Sequence, residues 1–193
     1  FKQFIGRAKS EMTFVREART LLDANGFRPW PSVPSRADVK GGSRWYAVNR
    51  ERTIAVFVIG SDPVTSGTRI VNTHNDSVRL ELKPKPFRES VDISLLDTAP
   101  HGTLKNYQWV NRPLALIGRV TRADGTVVPI DIGHAPGDPV LLIPDLAPHV
   151  DQDFRERKNR DVIQTEELDP VFASTGEAAT RVLKEKYGLT RDD

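Results

Sequence analysis

The stretch Arg69–Pro86, RIVNTHNDSVRLELKPKP, decides how this chain is read. Ile70 and Val71 are β-branched and lead directly into His74-Asn75-Asp76, the pattern of a strand whose C-terminal end delivers polar side chains into a cleft. A His that ends a buried strand is a candidate metal ligand, because a neutral imidazole nitrogen binds zinc and similar cations. An Asp two residues on is placed by spacing to hydrogen-bond that ring, which would fix its tautomer and raise its basicity. The same residues also describe a strand-end His satisfied by a nearby carboxylate in an ordinary loop, and His-x-Asp is too short a pattern to separate the two readings.

Composition sets the outer limits. The chain has 193 residues, 38% of them hydrophobic and 28% charged, enough for one sizeable core or two small ones. It contains no Cys, which removes disulfides, thiolate metal sites and cysteine nucleophiles together. The formal charge is +2, and Lys and Arg are interspersed with Asp and Glu, so no nucleic-acid footprint is expected. There is no apolar run of about 18 residues and no signal-peptide pattern, so neither a membrane partner nor secretion is expected and the cytoplasm is the default location. A chain that begins with Phe1 is expected to be trimmed, processed or partial.

Outward from the central stretch, Phe4, Ala8, Met12, Val15, Ala18 and Leu22 recur at helical spacing, predicting one amphipathic helix over 1–25 that Gly26 stops. The following FRPWPSVPSRADVKGG, with three prolines and two glycines, predicts a loop. Arg44–Val48 and Thr53–Ile59 read as a hairpin joined by Asn49-Arg50-Glu51-Arg52. Beyond Pro86, alternation at Val91, Ile93 and Leu95 and runs at 114–121, 127–132 and 139–143 are separated by turn signals such as Ala123-Asp124-Gly125, which predicts a small β-rich lobe. Residues 151–169 are highly charged without apolar period and read as a solvated segment. Ser174-Thr175-Gly176-Glu177 opens a last helix, with Ala179, Val182, Leu183 and Tyr187 on one face and Gly188 at its end.

HNDSVRLELKPKP resembles the His-x-Asp-Ser-Pro-x-Leu-x-Leu-Lys-Pro signature of the aspartyl aminopeptidase / aminopeptidase I family of dinuclear zinc metallopeptidases, in its bacterial branch. Further likenesses follow in the same order: LKNYQWVNRPLALIGRV, DPVLLIPDLAPHV and the terminal LKEKYGL. The resemblance implies an α/β fold, the N-terminal part of a phosphorylase/hydrolase-like catalytic domain (residues 1–86), interrupted by a β-rich dimerisation domain (87–173) and followed by a helix that returns to the catalytic domain (174–193). It implies His74 as a zinc ligand, Asp76 as the catalytic residue that orients it, and His149 as a substrate contact reaching into a neighbouring subunit. By the same resemblance there are two zinc ions per complete site, a peptide substrate and a dodecameric homo-oligomer.

His74 is then one of the several ligands the family uses, and a hydrolytic zinc needs about three protein ligands, an open position for water and a general base. His101, His134 and His149 lack the spacing of a ligand pair. The resemblance implies that a C-terminal catalytic polypeptide carries the remaining ligands and that the enzyme is active only with it. The resemblance has departures. Val78 replaces the family's Pro, and Asp97–Gly102 stands where the family has Thr-His-Tyr-Tyr-Gly-Gly. Two functions follow: a portion or subunit of a zinc aminopeptidase that removes N-terminal residues from peptides, or a catalytically degenerate subunit with a structural, oligomerisation role.

Overall fold

The computed structural model describes residues 1–31, 35 and 39–190, in two compact units, Phe1–Ser77 and Val78–Asp193. The first unit opens with two helices where the apolar spacing predicts one: α1 (Lys2–Arg7) and α2 (Glu11–Ala24). Ser10 breaks the run. Its backbone is extended, its Oγ accepts from the Thr13 N–H, and Thr13 Oγ1 accepts from the N–H groups of Lys9 and Ser10, each at 2.8 Å. A cap that satisfies these otherwise orphaned donors outweighs continued apolar spacing. Across the break, the Phe4 and Phe14 rings meet edge to face, 5.3 Å apart.

The predicted hairpin is present. β2 (Arg44–Asn49) and β3 (Thr53–Val58) pair antiparallel, with Trp45 opposite Phe57, and β1 (Arg28–Pro29) adds to β2 in parallel. β1 interrupts the loop predicted there, and the rest of that loop lies partly outside the described residues. Trp45 and Tyr46 are buried, and the Tyr46 hydroxyl donates to Asp23 of α2 at 2.9 Å.

The strand predicted at Ile70–Val71 is not formed. No ladder includes these residues, and their side chains are 83% and 88% exposed. A β-branched run favours extended backbone, but a strand needs a partner for its N–H and C=O groups, and among the described residues none pairs here.

The second unit is organised by β4 (Arg79–Ser90), β5 (Ile93–His101) and β8 (Val171–Ala173), in that order in one antiparallel sheet. The register passes from Leu82 opposite Thr98 to Phe87 opposite Leu96, so Lys83-Pro84-Lys85-Pro86 bulge out opposite Asp97 alone. Pro84 and Pro86 have no N–H to offer a ladder, which is why the bulge falls there. β4 crosses Pro86, so the hairpin β4–β5 is one piece of this unit.

β6 (Leu116–Thr121) and β7 (Val127–Ile132) form a separate two-stranded sheet around the predicted turn, where the Asp124 carboxylate accepts from the Thr126 N–H at 2.8 Å. The run at 139–143 makes only isolated bridges, Leu141 to Leu114 and Leu142 to Val171.

Two clusters fill this unit. Leu96, Ile130, Ile132, Leu141 and Phe172 pack with Ala179, Leu183 and Leu189 of the C-terminal part, and Ile143, Ile163 and Leu168 form the second cluster. Each of these Leu, Ile and Phe side chains contributes about 1.5–3 kcal/mol when fully buried. The last helix, α3 (Gly176–Tyr187), is capped by Thr175, which accepts from the Ala178 N–H, and ends at Gly188 in left-handed conformation (φ 63°). It packs on β5 and β8, where its apolar face completes the Leu96 cluster.

Residues 151–169, read as merely solvated, are a folded connection. Ile163 and Leu168 are 8% and 0% exposed, Asn106 Nδ2 donates to the Ile163 carbonyl, and Thr98 Oγ1 donates to the Leu168 carbonyl. Arg157, with a side chain only 14% exposed, lies 3.2 Å from Asp151 and 3.1 Å from Glu167, so charges that look solvated in sequence neutralise one another locally.

Candidate functional site

His74, Asn75 and Asp76 lie on an irregular segment after the short turn Val64–Ser66. His74 is exposed, and its Nδ1 accepts from the backbone N–H of Asp76 at 3.0 Å. The Asp76 carboxylate accepts from the Ser77 N–H at 2.8 Å. Spacing predicted a carboxylate–imidazole contact. The ring instead meets the Asp76 amide, because in so tight a turn the backbone N–H reaches the ring first. While Nδ1 accepts, a neutral imidazole carries its hydrogen on Nε2, so binding a metal through Nε2 requires that hydrogen to leave.

His149 is exposed in the turn closed by the Val150 N–H to the Ala147 carbonyl at 2.9 Å. The other two imidazoles are each beside a separate carboxylate. His101 Nδ1 is 3.2 Å from Glu81, which Arg79 also contacts at 2.6 Å, and His134 Nδ1 is 2.7 Å from Asp131. His101, expected in a turn, is the last residue of β5 and pairs with Arg79. Among the described residues no three His, Asp or Glu side chains gather in a group that could hold a metal ion. A zinc ion needs about three protein ligands, so these residues do not by themselves fit a complete zinc site.

The two departures near this stretch meet in the structure. Gly102 has φ +79°, and a Cβ there would come 3.1 Å from Val78 Cγ1. The residue that replaces the family's Pro therefore lies close against a glycine whose left-handed backbone a side chain would strain.

Two further charged clusters brace the second unit, and sequence reading missed both because their members are far apart in the chain. Arg88 donates to Asp97 at 2.6 Å and Asp169 at 2.7 Å, while Asp169 also accepts from the Thr98 N–H. The hydrogen bond that Arg88 donates to Asp97, then that to Asp169, raises the Arg88 pKa, and Arg88 in turn holds Asp97 below the usual carboxylate range. Near the C-terminal end of α3, Lys186 donates to Asp138 at 2.7 Å and to the Asp131 carbonyl at 3.0 Å. Lys186 first, then the N–H of Gly133, lowers the Asp138 pKa.

The model of the family described as aminopeptidase I zinc metalloprotease (M18) matches residues 4–189. The chain belongs to this family. A Clostridium acetobutylicum protein named probable M18 family aminopeptidase 1 is 34% identical over 205 residues, matching 100% of this chain and 44% of its own length. A Thermotoga neapolitana protein of the same name is 35% identical over 201 residues, again covering 100% of this chain and 44% of its own. The M18 chain thus spans about 44% of the length of these curated relatives.

Among solved structures, the crystal structure of the M18-family aminopeptidase from Thermotoga maritima superposes with a TM-score of 0.88 at 34% identity, over 99% of this chain and 43% of that one. The structure of the Saccharomyces cerevisiae mApe1 dodecamer shares the fold at a TM-score of 0.70 and 19% identity, over 99% of this chain and 44% of that one. The mixed α/β architecture with small sheets is therefore that of M18 aminopeptidases.

Proposed function

We propose that this chain is the N-terminal portion of a zinc-dependent aminopeptidase that hydrolyses N-terminal residues from peptides. The observation that carries the reading is the family match over residues 4–189, which includes His74, Asn75 and Asp76. In this proposal His74 is one zinc ligand of a site that binds two ions, and Asp76 holds the segment that presents it. The remaining ligands and the general base come from a C-terminal catalytic polypeptide. His149 contacts substrate in a neighbouring subunit. The β-rich lobe, residues 87–173, serves as the dimerisation domain of a homo-oligomer; homo-oligomerisation is supported by the dodecamer formed by one relative of the same fold.

The test is zinc content and peptide hydrolysis of the complete particle with and without His74→Ala. Loss of one ligand from a hydrolytic site is expected to lower activity at least about 100-fold and to deplete zinc. Unchanged zinc and activity would refute the assignment and favour a structural role.

A further inference from the structure

The strand β3 stands at the edge of its sheet. β2 pairs with β1 on one side and β3 on the other, and among the described residues no strand pairs with the outer side of β3. The Ile59 N–H donates to the Ser43 carbonyl at 2.9 Å, and the Ile59 carbonyl accepts from the Gly42 N–H at 2.8 Å. Ile59 thus turns both of its groups toward the β2 side. The ladder from Arg44 opposite Val58 to Asn49 opposite Thr53 keeps the same register without a shift. In an antiparallel pair, residues alternate between bonding to the partner strand and facing away from it. Val58, Val56 and Ile54 therefore point their N–H and C=O groups outward.

The side chains are uncovered as well. Successive residues of a strand take opposite faces. Val56 and Val58 lie on the face of Tyr46, whose hydroxyl reaches α2, yet they remain 47% and 64% exposed. Phe57 lies on the other face, opposite Trp45 and 5.8 Å from the Trp30 ring, and is 41% exposed. From Ile54 to Ile59 the sequence is IAVFVI, an unbroken apolar run of the kind carried by strands buried on both faces. An edge that faces water is commonly blunted by charge, proline or a bulge. β4, at the edge of the other unit's sheet, has all three, in Lys83, Lys85, Pro84, Pro86 and the bulge between Leu82 and Phe87. β3 has none of them between Ile54 and Val58.

We propose that β3 is an inner strand of the complete sheet, and that its outer edge takes a strand, apolar on both faces, from the C-terminal catalytic polypeptide. This rests on reading the chain as the N-terminal portion of an aminopeptidase. The occupant is that polypeptide for two reasons. The chain matches only about 44% of the length of its relatives, and a strand apolar on both faces needs cover above and below the sheet as well as at its edge. A second copy pairing edge to edge adds strands but no covering layer.

Hydrogen exchange of the 193-residue chain and of the complete particle tests this. In the chain alone, the amides of Ile54, Val56 and Val58 are expected to exchange faster than those of Ala55 and Phe57. In the particle they are expected to slow at least about 100-fold. Val56→Pro deletes an outward N–H, which an edge strand tolerates and an inner strand does not. Val58→Lys places a charge on the same seam. Both variant chains are expected to keep the parental melting temperature and to bind the C-terminal polypeptide at least about 100-fold more weakly. If Val56→Pro does not fold, Val58→Lys decides. Outward amides that stay fast in the particle, or folded variants that bind as tightly as the parent, would overturn the proposal. So would protection that arises in the chain alone and vanishes on dilution, since the occupant would then be a second copy. Protection of these amides by the C-terminal polypeptide in a particle whose zinc and activity do not depend on His74 would uphold the seam and overturn the zinc assignment alone.

Discussion

Residues 69–72 and residues 93–96 both place β-branched or leucine side chains in an extended pattern, yet they meet opposite fates. Leu96 is 1% exposed at the centre of β5, with β4 on one side and β8 on the other. Ile70 and Val71 stand 83% and 88% exposed on a segment without a ladder. Their local preference for extended backbone is comparable. The difference lies in partners: Leu96 has a sheet for its backbone and Phe172, Leu183 and Leu189 for its side chain. Burial and pairing therefore decide which apolar run stabilises the fold.

The sharpest way to break that comparison is Leu96→Ala. Emptying so enclosed a position should cost about 2–5 kcal/mol in denaturant unfolding, and a loss below about 1 kcal/mol would mean that the cluster is not the core. A smaller effect follows from the charges that brace α3. A carboxyl whose folded pKa lies below its unfolded value stabilises the fold above the unfolded value, and that contribution is lost as pH falls through the folded one. Asp138 is depressed by Lys186, so its contribution should be intact at neutral pH and disappear below about pH 4, the ordinary Asp range. Asp138→Asn should flatten the acid limb of stability against pH, and an unaltered limb would remove Asp138 from the account. The smallest effect belongs to the other region: Ile70→Thr should change stability by no more than about 0.5 kcal/mol, the usual range for exposed positions. A larger loss would show that Ile70 is covered in solution.

The sequence by itself determined what depends on near neighbours. Gly188 ends α3, Ala123-Asp124-Gly125 turns β6 into β7, and Asn49–Arg52 joins β2 to β3, because caps and turns are settled by residues within a few positions of one another. The order of motifs around His74 also placed the chain in its family before any coordinates. Ser10 was equally local, but its cap uses Thr13 in place of the usual Glu or Gln, so the break between α1 and α2 was masked by apolar spacing that ran straight through it.

Only the tertiary structure decided the long-range pairings. Arg88 finds Asp97 and Asp169, Ile163 and Leu168 sink into a core from a run that reads as charged and solvated, and α3 closes over Leu96. It likewise decided that Asn75 reaches the Arg52 carbonyl and that the Asp76 amide, in place of its carboxylate, meets His74. Residue types announce which groups can bond. Which of them do is set by what the fold brings within about 3 Å, where a hydrogen bond forms.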